Sequence, residues 1–174
     1  RVLKSRSGHA MPPHLIRYYG DDGRAMLSAS RDRSLRCLSI VRDSRSFELS
    51  QGSIESKSHK LAVEASSLKL TPTTSLSYST LRSRDWDDVL TTHANDKHAH
   101  TWTVRNKHMN PSTLNVARSK KSAAVATTSC VSACGNFGLI GTTRGIVDVD
   151  VVAHVRAVGG VVVVAVDLRG LAGE

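Results

Sequence analysis

His93, His98, His100 and His108 are the residues most suggestive of chemistry: imidazole nitrogens bind zinc, and His98 and His100 alternate as same-face residues of a strand do. A structural zinc site takes four ligands in fixed geometry, and no cysteine pair lies close enough to complete one. The spacing therefore favours a strand end and a buried polar set over a metal centre. Cys130 and Cys134 are separated by three residues rather than the two of a redox pair, and both read as buried free thiols. With Cys37 they form an odd, sparse set, which argues for a reducing, intracellular compartment. No Ser, His and Asp set has a nucleophile-elbow context, and the glycines follow no phosphate-loop pattern. The sequence thus holds no catalytic constellation and implies no cofactor; a metal-dependent hydrolase would need His93, His98 and His100 to hold zinc together.

The remaining candidates are cations. The chain carries 24 Lys and Arg against 15 Asp and Glu, a net charge of +9. The surplus belongs to residues 1–120, with 20 basic and 11 acidic side chains; residues 121–174 balance at 4 of each. Arg31, Arg33 and Arg36 cluster around one turn and strand, Arg42 and Arg45 lie in a first polar stretch, and Arg118, Lys120 and Lys121 lie in a second. Such residues suit phosphate contacts, protein contacts or a solvated face. Phe, Trp and Tyr total 7 residues, too few to suggest a base-stacking platform.

These side chains sit on a recurring grammar of short strands. Leu15-Ile16-Arg17-Tyr18-Tyr19, the turn Gly20-Asp21-Asp22-Gly23, Ala25 to Ser30, the turn Arg31-Asp32-Arg33 and Ser34 to Ser39 predict a three-stranded antiparallel meander. The pattern returns at Leu76 to Ser79, Asp87 to His93 and Ala99 to Val104, and again at Ala123 to Ser129, Phe137 to Gly141 and Ile146 to Val149. Third strands near residues 35, 100 and 147 indicate a radial array of sheets. Residues 39–60 and 105–121, polar and in the second case broken by Asn110-Pro111, read as exposed excursions. Residues 150–174 are valine-rich and read as the start of a further blade. The longest apolar run, Val161 to Val166, is far short of the roughly 20 residues of a membrane span, so no membrane partner is expected. Arg1-Val2-Leu3-Lys4 lacks both an initiator Met and a signal-peptide core, which reads as the interior of a longer protein.

Gly8-His9, two strands, Ser30, Asp32 and a third strand resemble a WD-repeat blade. In that family a His, a Ser or Thr, the Asp of a tight turn and a Trp closing the third strand form a buried hydrogen-bonded set. Here His9, Ser30 and Asp32 take three of those places and Leu38 stands in the fourth; in the second unit Asp96 and Trp102 match, without a Gly-His. A longer ordered series includes Arg6-Ser7-Gly8-His9, Ser50-Gln51-Gly52, Asp85-Trp86-Asp87, Thr101-Trp102, Cys134-Gly135-Asn136-Phe137 and Gly145 to Val149. It resembles the WD-repeat U3 small nucleolar RNA-associated proteins, the WD repeat-containing protein thirty-six family.

The resemblance implies an all-β fold, a partial WD-repeat β-propeller of three to four blades over residues 1–149, from a longer tandem-propeller protein. It also implies a non-enzymatic scaffold in the UTP-B subcomplex of the nucleolar small-subunit processome. The partners would be other UTP-B and processome proteins, precursor ribosomal RNA and U3 small nucleolar RNA. A module dominated by direct RNA binding, and an unrelated WD-repeat adaptor such as a ubiquitin-ligase substrate receptor, are the alternatives that fold alone leaves open.

Overall fold

The computed structural model describes residues 8–115, 124–151 and 164–167. Twelve strands in these residues form three four-stranded antiparallel sheets. The first holds β1 (Pro13–Tyr19), β2 (Ala25–Ser30), β3 (Leu35–Ser39) and β4 (Phe47–Glu48), in chain order. The second holds β5 (Thr73–Tyr78), β6 (Val89–His93), β7 (His98–Thr103) and β8 (His108–Asn115). The third holds β9 (Ala126–Val131), β10 (Phe137–Thr142), β11 (Ile146–Val151) and β12 (Val164–Asp167). Each sheet is a meander, a blade of the expected radial array. A short helix, α1 (Ile54–Leu61), lies between the first two blades.

Period-two alternation with tight turns produces these meanders. Gly20 and Gly23 in the β1–β2 turn have φ of 81° and 64°, a region that side chains with a Cβ rarely enter. The register then aligns Tyr18 with Met26 and Met26 with Leu38. In the second blade it aligns Tyr78 with Val89, Val89 with Trp102 and Trp102 with Met109. Trp102 is therefore the positional counterpart of Leu38.

The core lies between blades. Leu27, Ala29, Leu35 and Cys37 of the first pack with Leu76, Val89, Trp102 and Val104 of the second. Leu90 and Ala99 pack with Ala126 and Ile140 of the third. Burying one such aliphatic side chain contributes about 1.5–3 kcal/mol, so these interfaces, rather than the hairpins themselves, hold the array together.

Three segments differ from the sequence reading. Residues 108–115, expected in an exposed excursion, form β8; it is an edge strand, where Pro111 withdraws no hydrogen bond that an inner strand would need. Within 39–60, Phe47–Glu48 pairs with β3, and Leu49 is 1% exposed with its N–H on the Leu35 carbonyl at 2.8 Å. Val164–Asp167 pairs with β11 as the fourth strand of the third blade, instead of opening a further one. The apolar run Val161 to Val166 has no polar alternation to declare which sheet it joins.

Candidate functional site

In the first blade His9 lies in the segment before β1, and Asp32 and Ser34 lie in the β2–β3 turn. The Ser34 hydroxyl donates to Asp32 Oδ1 at 2.6 Å, so its oxygen is left to accept from His9 Nδ1 at 2.8 Å. Asp32 Oδ2 lies 3.2 Å from the same ring nitrogen and accepts the Ala10 N–H at 2.7 Å. His9 Nε2 meets the Ser28 hydroxyl at 2.9 Å. Burial opposes ionisation of Asp32, but the Ser34 hydroxyl, the Ser34 and Ala10 amides and His9 outweigh it and hold the carboxyl well below its ordinary range. Ser30 stands apart from His9: its hydroxyl donates to the Met11 carbonyl at 2.7 Å and accepts the Asp32 N–H at 3.2 Å. The hydroxyls joined to the histidine are those of Ser28 and Ser34.

The second blade reaches a similar arrangement by a different route. The Trp102 indole N–H, which can only donate, meets Thr91 Oγ1 at 2.8 Å. Thr91 Oγ1 lies 3.0 Å from His93 Nε2, and His93 Nδ1 lies 2.6 Å from the Thr71 carbonyl, which can only accept. The Thr71 carbonyl places the proton of the neutral His93 ring on Nδ1, so Nε2 accepts from the Thr91 hydroxyl, whose oxygen accepts from Trp102 and lies 3.3 Å from the His100 carbonyl, a second acceptor. Thr91 is the register counterpart of Ser28, since Ser28 pairs with Arg36 as Thr91 pairs with His100. A strand-borne histidine thus takes the place of the missing Gly-His. Burial pushes His93 down to about 4 from an ordinary 6.5, with His100 adding to the effect. Asp96 accepts from His100 Nε2 at 2.9 Å and from the His98 N–H at 2.9 Å. Burial raises it, but these bonds prevail and lower it.

The histidines do not converge. His93 and His100 meet edge to face at 5.2 Å, His98 turns to Asp96, and His108 faces the Met109 carbonyl at 3.1 Å. Among the described residues no group of three or more His, Cys, Asp or Glu is placed to hold a metal ion.

Sequence reasoning missed a buried carboxylate between blades. Asp88, 2% exposed, accepts the Tyr19 hydroxyl of the first blade and the Val104 N–H at 3.0 Å. Burial raises its carboxyl above the usual range despite both donors, and burial with the adjacent Asp88 raises Tyr19. The available signal was a tyrosine ending one first strand and an acid opening the next blade's second strand. Neighbouring Asp87 takes the Thr101 and Thr103 hydroxyls on the opposite face.

Cys37 is buried, but Cys130 and Cys134, expected to be buried, are exposed: Cys130 falls on the outward phase of β9, and Cys134 sits in the β9–β10 turn. The Ser132 hydroxyl and the Asn136 amide lower the Cys134 thiol below its ordinary value. The basic candidates also separate. Arg36 is bound to Glu48 at 2.9 Å with 14% of its side chain exposed, so its charge is engaged. Arg31 and Arg33 lie in the β2–β3 turn, whereas Arg42 and Arg45 lie in the β3–β4 connection at the other end of the blade. Arg118, Lys120 and Lys121 lie outside the described residues.

The family model of the WDR36/Utp21 second beta-propeller domain matches residues 14–156. The U3 small nucleolar RNA-associated protein 21 homolog of Schizosaccharomyces pombe is 46% identical over 149 residues, covering 86% of this chain and 16% of the relative. The U3 small nucleolar RNA-associated protein 21 of Saccharomyces cerevisiae is 35% identical over 147 residues, covering 83% of this chain and 15% of the relative. WD repeat-containing protein 36 of Homo sapiens is 34% identical over 151 residues, covering 86% of this chain and 17% of the relative. The chain spans about a sixth of the length of these curated relatives. Three meandering blades, a His–Ser–Asp set in the first and a Trp–Thr–His set in the second agree with that match: the chain belongs to the WDR36/Utp21 second beta-propeller domain family.

Proposed function

We propose that this chain is part of a non-enzymatic scaffold for ribosome biogenesis: a propeller portion of a UTP-B subunit of the nucleolar small-subunit processome. There it holds other processome proteins, precursor ribosomal RNA and U3 small nucleolar RNA in place while the small ribosomal RNA is processed. The observation that carries this reading is the match over residues 14–156 to a family whose relatives are named for association with U3 small nucleolar RNA. The state of the polar side chains agrees with a geometric role. His9, Asp32, His93, Asp96 and Asp88 each spend their hydrogen bonds on neighbouring blade residues. An acid or base used in catalysis keeps a face for substrate. Loops on a rigid sheet frame suit simultaneous contact with several partners.

The test is to tag the parent protein in cells, purify it gently and identify what accompanies it. Enrichment of U3 small nucleolar RNA, precursor ribosomal RNA and other UTP-B subunits is the expected result. Recovery of ubiquitin-ligase or signalling subunits in their place would overturn the assignment and leave only the propeller.

A further inference from the structure

One end of the blade array combines exposed cations with acids that are turned inward. Because each sheet is an up-and-down meander, the β2–β3, β6–β7 and β10–β11 turns share one end with the β4–β5 connection and with the segments leading into β5 and β9. Hydrogen bonds join these pieces in sequence across the blades. Gln51 Nε2 donates to the Arg33 carbonyl at 2.6 Å, and its Oε1 accepts the Leu70 N–H at 2.9 Å. Thr71 Oγ1 donates to the Ala94 carbonyl at 2.6 Å, the Ala126 N–H donates to the Asp96 carbonyl at 2.9 Å, and the Thr143 N–H donates to the Val125 carbonyl at 3.0 Å.

Arg31 of the first blade and Lys97 of the second are exposed on this end. The acids of the same turns, Asp32 and Asp96, are 12% and 22% exposed and bonded to His9, His98 and His100 within the blades. The β4–β5 connection adds Lys57, Lys60 and Lys69 against Glu55 and Glu64. The opposite end also bears exposed cations, among them Arg42, Arg45, Arg84, Arg105 and Lys107, but its acids stay at the surface: Asp22 meets Arg24 at 3.9 Å and Asp85 meets Arg82 at 3.8 Å, all of them substantially exposed. The two ends of one repeated architecture therefore present different fields.

We propose that the end bearing Arg31 and Lys97 binds RNA through its phosphate backbone; this deepens, and rests on, the RNA-associated scaffold reading above. Spaced cations on a continuous, rigid surface match a polyanion, whose phosphates position the strand without being read for sequence. None of the described aromatic residues lies in these turns, so base stacking contributes nothing and the surface is indifferent to sequence.

The test measures binding of the full chain to a fluorescently labelled, mixed-sequence single-stranded RNA over a salt series. It compares wild type, Arg31→Ala/Lys97→Ala, and Arg42→Ala/Arg45→Ala from the opposite end, with circular dichroism confirming an unchanged fold. Each lost phosphate contact reduces the slope of log K against log salt by about 0.7. The first double variant should therefore show a slope shallower by about 1.4 and roughly 25-fold weaker binding at about 0.1 M salt, while the second matches wild type. Steep, salt-dependent wild-type binding that falls equally in both variants, or only in the second, overturns this surface and leaves the RNA-associated reading standing. Absence of RNA binding by the wild-type chain also overturns the surface; the scaffold reading then rests on what copurifies with the parent protein.

Discussion

Acidification should unlock the second blade through His93. Its imidazole is 2% exposed and committed as a neutral tautomer, with Nδ1–H on the Thr71 carbonyl and Nε2 accepting from Thr91. The folded state holds it at about 4 against an ordinary 6.5, so the unfolded chain binds the extra proton between those values. Stability is thus fully present above 6.5 and is lost as the pH falls toward 4. Linkage across that gap gives a loss of about 2.5 kcal/mol between roughly pH 7.5 and pH 4.5, equivalent to a urea midpoint lower by roughly 1 M. Asp88 works in the opposite direction: its carboxyl is raised, so its contribution is present at low pH and is lost as the pH rises through its folded value. The clean comparison is therefore His93→Gln against His93 in an Asp88→Asn background. Glutamine can still donate to Thr71 and accept from Thr91, and it does not titrate. Urea titrations of the full chain, followed by Trp86 and Trp102 fluorescence, should show the acid loss in the His93 chain and a nearly flat profile in the His93→Gln chain. An identical pH slope in both would refute the assignment of the buried proton site to His93.

Asp32→Asn replaces the carboxylate that accepts from Ser34, Ala10 and His9, and it should lower stability by about 3 kcal/mol in denaturant titrations at neutral pH. Trp102→Phe should cost about 2–3 kcal/mol, because it leaves a gap at a 1% exposed position and removes the donor that orients Thr91; thermal unfolding would measure it. Gly135→Ala should cost about 1–2 kcal/mol by the same measurement, since φ is 73° and a Cβ would meet Ser79 Oγ at 3.0 Å and Arg82 Cγ at 3.3 Å. Limited alkylation followed by mass spectrometry should label exposed, acidified Cys134 first and buried Cys37 only when the chain unfolds.

The meanders were legible because their strands alternate and their turns carry Gly, Asp and Asn. The strand at His108–Asn115 was not, because Asn110-Pro111 has the composition of a turn, and only its place on a sheet edge makes proline harmless. Phe47–Glu48 was hidden by its two-residue length. His9 and Asp32 were readable as a pair by type and context, yet Ser28, Ser30 and Ser34 are indistinguishable in sequence, and only register shows which hydroxyls face the ring. His93 was obscured for a related reason: it supplies from within a strand the group that the motif normally carries on the preceding loop. Asp88 gains its meaning from Tyr19, 69 residues away, and a contact between blades leaves no local pattern.

The central claim, that the parent protein serves assembly of the small ribosomal subunit, is tested most directly by depleting it in cells and following newly made ribosomal RNA by pulse labelling. The account predicts loss of mature small-subunit RNA with accumulation of its precursors while large-subunit RNA continues to form, and restoration by wild-type protein. Unchanged small-subunit RNA, or an equal fall in both subunits' RNA, would contradict it.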